Sequence, residues 1–128
     1  MKTELDSRNY QKWFLENLQY RDRLLTLTVE EMLSKEDQLR EPQRFLVVFP
    51  FTVMYQVYDE CDHRNDFHEN RQKGVLAKYN SSRLLEHAKS DTIIFDTAVG
   101  TLEHWSLMTT NEFVHVITNQ PPKVVNVT

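Results

Sequence analysis

Glycine is nearly missing from this chain. Gly74 and Gly100 are the only two, where average usage of about 7% would supply roughly nine. Loops that cradle phosphate need several glycines so that backbone N–H groups can approach the anion, so P-loops, dinucleotide fingerprints and kinase-type loops are excluded. Cysteine is scarcer still: Cys61 stands alone, and no internal disulfide can form. Nothing in the first thirty residues resembles an apolar signal core, so a cytoplasmic location is expected. On that expectation the sequons at Asn80 and Asn126 are chance matches. The longest apolar run, Phe45 to Phe51, is far short of a membrane span and contains Pro50.

A basic excess is also lacking. The net charge is −4, and from Ser90 onward Asp91, Asp96, Glu103 and Glu112 face Lys123 alone. A nucleic-acid binder needs cations to neutralise phosphates, so direct DNA or RNA binding is disfavoured. A basic protein partner suits this composition better.

What is present fits one α+β domain spanning residues 1–128. With 40% apolar and 27% charged residues, the chain has the make-up of a protein that folds by itself. Its organising stretch is Gln43 to Asp59, where Phe45, Val47, Phe49, Phe51, Val53, Tyr55 and Val57 occupy every odd position. That period of two predicts one or two strands with a buried face, broken or bulged at Pro50, which cannot donate to a ladder. Beyond Pro50, Phe51, Met54, Tyr55 and Tyr58 also fit a helical face, so that half stays open between strand and helix.

Two helices are expected ahead of it. The first starts at Asp6 or Ser7 and runs to about Gln19, with Tyr10, Trp13, Phe14 and Leu18 on one face. The second opens on the capping-box pattern of Thr28 with Glu31, stapled by Leu27 and Met32, and stops before Pro42. Past the centre, a short helix from Asn80–Ser82 to Lys89 is expected, then a hairpin of strands Thr92–Asp96 and Thr101 to about Thr109. Phe113 to Thr118 fits a short helix or turn as well as a strand, and Lys123 to Val127 fits a terminal edge strand. The fold class expected is thus two N-terminal helices plus one short later helix packed on a mostly antiparallel sheet of about four or five strands.

The polar stretch from Asp59 to Lys73 has Phe67 as its only large apolar side chain and cannot face a core. It concentrates Asp59, Glu60, Asp62, His63, Asp66, His68 and Glu69, which are the candidate binding residues. A small interaction protein of inhibitor, immunity or regulatory type would use these acids against a macromolecular partner. The competing class is a small metal-dependent enzyme or ligand-binding domain using His63, His68 and Glu69. Those residue types suit zinc, but the two histidines stand five apart, not the four that aligns imidazoles on a helix. No cofactor is specified. Glu60-Cys61-Asp62-His63 and Glu112-Phe113-Val114-His115 both spell Glu-x-x-His, a di-metal pattern that requires long helices the chain has no room for. No nucleophile motif exists, and the acids around Cys61 oppose a thiolate. His87, His104 and His115 read as structural or surface histidines. Surface aromatics would favour a homodimer.

Overall fold

In the computed structural model, which describes residues 2–37, 39–62 and 70–128, the first half of the chain is built from strands. After short 3-10 turns at Glu4–Ser7 and Tyr10–Lys12, β1 (Trp13–Arg21) and β2 (Leu24–Glu31) form an antiparallel hairpin. β3 (Arg44–Phe49) pairs with β2, and β8 (Lys123–Asn126) closes the sheet in the order β1-β2-β3-β8. The second sheet runs β4-β7-β6-β5, from β4 (Thr52–Asp59), β7 (Glu112–Thr118), β6 (Glu103–Met108) and β5 (Leu76–Tyr79). Two helices, α1 (Arg83–Asp91) and α2 (Ile94–Thr97), lie between β5 and β6.

Both expected N-terminal helices are therefore corrected to a strand hairpin. In β2, Leu25, Leu27, Val29 and Glu31 are buried and the residues between them are not, which is the alternation of a strand. Glu31, read as the far end of a capping box, instead has its carboxylate between Arg8 and Arg40. In β1 the register shifts between Leu15 and Asn17. This bulge moves the inward set from Trp13 and Leu15 to Leu18 and Tyr20, and the resulting spacing imitates a helical stripe. Phe14, counted on that stripe, lies on the outer side and is exposed.

Two later elements also differ. Ile94–Thr97 is a single helical turn, and β6 pairs with β5 and β7, not with a strand at 92–96. Phe113 to Thr118 belongs to β7, a strand buried on both faces.

Pro50 marks the switch of the chain from one sheet to the other: β3 ends at Phe49 and β4 begins at Thr52. One core lies between the sheets. It takes Trp13, Leu25, Leu27, Val29, Phe45, Val47 and Phe49 from the first, and Leu76, Trp105, Leu107, Val114 and Val116 from the second. Trp13 is fully buried, meets Phe45 edge to face at 5.6 Å, and donates its indole N–H to the Leu5 carbonyl at 2.8 Å. Truncating such a side chain costs about 3–5 kcal/mol.

Candidate functional site

Two places on the second sheet combine polar chemistry with defined geometry. The first is its acidic end. Asp59 closes β4 and stands directly opposite Glu112, which opens β7. Glu60 and Asp62 follow at once in a 3-10 turn. Like charges directly opposite each other on antiparallel strands destabilise the pair, so this register is held by other contacts. Asn111 supplies them. Its carbonyl accepts the Glu60 N–H at 2.9 Å, while its side-chain amide exchanges two hydrogen bonds with the backbone of Leu15 at 2.9 and 3.1 Å. Thr110 adds its N–H to the Trp13 carbonyl at 2.8 Å. The acids are thus presented from a turn tied to both sheets.

No ion pair neutralises Asp59, Glu60, Asp62 or Glu112 among the described residues, whereas Glu16, Glu30, Glu31, Asp37 and Glu103 each meet an arginine or lysine. Cys61 sits exposed within this cluster, its thiol pushed up in pKa by Asp59 first and by Glu60, so it stays protonated. Of the sequence-derived candidates, the structure brings together Asp59, Glu60 and Asp62. His63, Asp66, His68 and Glu69 lie outside the described residues, as does the metal reading built on them. Among the described residues, no three His, Cys, Asp or Glu side chains form a group that could hold a metal. The second Glu-x-x-His is ruled out as a ligand pair by geometry: three residues apart on β7, Glu112 and His115 point to opposite faces.

The second place was not singled out from the sequence. Along β6 and β7, His104, Ser106 and His115 alternate with Trp105, Leu107, Val114 and Val116. The apolar set faces the core, and the polar set faces the other side of the sheet, where it is buried as well. There, His104 Nε2 lies 3.0 Å from His115 Nδ1, and His104 Nδ1 lies 2.7 Å from the Ser82 hydroxyl. Tyr79 stacks on His104 at 3.9 Å, and the Tyr58 ring meets His115 at 5.2 Å. Arg71 donates to the Ser106 hydroxyl at 2.7 Å and to the carbonyls of Gly74 at 2.8 Å and Ser106 at 3.2 Å. No carboxylate pairs with Arg71 among the described residues. Polar residues at every second position of a strand were the available signal, but polar alternation ordinarily means a solvent face.

Serine, histidine and a further orienting group in series is the pattern of an activated nucleophile. The electrostatics oppose that use. A catalytic imidazole needs an anion to support its charged form, whereas His104 faces another imidazole and the Arg71 cation. Burial first, then His115 and Arg71, push its pKa down to about 3, far below the neutral range a general base requires. Ser82 is also the N-cap of α1, its oxygen accepting the Leu85 N–H at 3.1 Å. The adjoining cavity, lined by Asn80, Ser82, Leu85, Phe95 and Leu102, measures about 210 Å³, below the roughly 300 Å³ at which ligand pockets begin.

No protein-family model, curated protein or solved structure matches this chain. No helix among the described residues is long and apolar enough to cross a membrane.

Proposed function

We propose that this chain is a small acidic binding protein that docks a basic macromolecular partner at the end of the second sheet, through Asp59, Glu60, Asp62 and Glu112. One observation carries the reading: the Asp59–Glu112 register sets two carboxylates opposite each other, adds two more from the next turn, and gives none of them a cation. A stable fold gains nothing from such a cluster, whereas a cationic partner relieves its repulsion and meets it with complementary charge. The turn is tied to β1 by Asn111, so little ordering cost accompanies docking. Inhibitor, immunity and regulatory roles all fit this kind of surface.

The test is an NMR titration of the protein with an oligo-arginine peptide, alongside capture of partners from an extract of cells that express the protein. Shifts confined to 59–62 and 111–112 that vanish between about 0.05 and 0.5 M salt support the reading. A captured partner that survives Asp59→Lys with Asp62→Lys refutes it.

A further inference from the structure

Helix α1 is weakly seated. It has nine residues, of which Ala88 alone is fully buried, and a helix this short is marginal without tertiary support. The chain enters it at Ser82, whose hydroxyl both caps the helix through the Leu85 N–H and bonds His104 on β6. That hydroxyl is where the start of the helix is joined to the buried polar layer. His104 passes the connection on to His115 of the neighbouring strand. With one proton on each ring the chain of hydrogen bonds closes in either direction.

Added protons do not fit. His104 is 2% exposed and His115 is 6% exposed. A first proton sets an unpaired cation in a dry layer near Arg71, and a second sets two N–H donors against each other across 3.0 Å. The described groups that face the pair are Tyr79 from β5, Tyr58 from β4, Arg71 from the segment before β5, and Ser82 from the entry to α1. None is a carboxylate, so none compensates the charge. From α1 itself, His87 is engaged with Asp91 on the exposed side.

We infer that the Ser82–His104–His115 chain is an acid-sensitive latch, which holds α1 on the outer face of the second sheet while both imidazoles are neutral and releases it when they take up protons. The sandwich core lies on the opposite face of that sheet and shares none of these groups, so release of α1 leaves it in place. The sign follows from linkage. A histidine whose protonation is opposed in the closed state stabilises closure above its ordinary pKa near 6.5, and that stabilisation is lost as pH falls below it.

Hydrogen exchange followed by NMR tests this, with protection factors corrected for the intrinsic pH dependence of exchange. In the wild type, protection of the amides from Leu85 to Thr92 should fall roughly tenfold per pH unit below about pH 6, the slope of one proton taken up on opening. Amides of β2 and β3 should keep theirs over the same range. His104→Phe, which preserves an aromatic ring against Tyr79, should flatten the slope. Ser82→Ala should lower protection of α1 at every pH and keep the slope. Loss of protection in α1, β2 and β3 together would overturn the latch, as would a wild-type slope that survives in both His104→Phe and His115→Phe.

Discussion

The Glu31 carboxylate is gripped by Arg40, whose two terminal guanidinium nitrogens each approach one of its oxygens at 2.7 Å, and it receives the Arg8 Nε–H at 3.2 Å. The backbone N–H of Gln43 adds a fourth donor at 3.2 Å. Glu31 thereby joins the N-terminal turn and the connection from β2 to β3 at one end of the first sheet. The hydrogen bond from Arg40 is the largest influence holding its pKa down, to about 2.

A carboxylate lowered in this way stabilises the fold above its ordinary pKa and loses that contribution as pH falls through the folded value. Stability should therefore drop between about pH 4.5 and 2. Both guanidinium groups are part-exposed, so solvent screening limits the contribution to about 1–2 kcal/mol. Glu31→Gln should cost about 2 kcal/mol at pH 7 and remove this part of the acid dependence, read by urea unfolding at a series of pH values.

The β1–β2 hairpin turns on Asp22 and Arg23, both at positive φ, 50° and 68°. Two left-handed residues joining adjacent strands form the mirror-image turn that suits strand twist, and Asn-Gly is its preferred pair. Asp22→Asn with Arg23→Gly should stabilise the protein by about 0.5–1 kcal/mol, seen as a rise in the urea midpoint with unchanged slope.

That turn explains much of what the sequence conceals. With Asp-Arg at the tip there is no glycine or asparagine signal to separate two strands, and the bulge at Glu16 hides the alternation of β1. The residues that read as a helical stripe and a capping box are two strands whose pairing is set by tertiary contacts. The strand at Phe45 to Phe49 and the break at Pro50 were legible because an unbroken period of two runs up to a residue that cannot pair. Asp59, Glu60 and Asp62 were legible as a polar stretch without core residues. Glu112 was not, since only cross-strand register places it against Asp59. The His104–His115 layer was hidden for a related reason: its burial depends on what covers the outer face of the sheet.

Asn111 is the support of the acidic end. Asn111→Ala leaves the Leu15 N–H and carbonyl without their partners and should cost about 2 kcal/mol. Asn111→Asp keeps an acceptor for Leu15 but loses the donor, so a cost of about 1 kcal/mol is expected from thermal unfolding. Both variants should also weaken partner capture, because the turn that presents Glu60 and Glu112 loses its tie to β1.

The most direct measurement is a paired one on Glu112→Lys: thermal unfolding and partner capture from the same preparation. Replacing one of two opposed carboxylates with a cation should stabilise the fold by about 0.5 kcal/mol, a rise of roughly 2 °C for a domain of this size. Capture should fall at least about tenfold, as expected when a buried or rim charge against a basic partner is reversed. Stability up and binding down is the signature of an acidic cluster kept for a partner. Unchanged capture with raised stability would contradict the account, since the like-charged pair would then have no bearing on recognition.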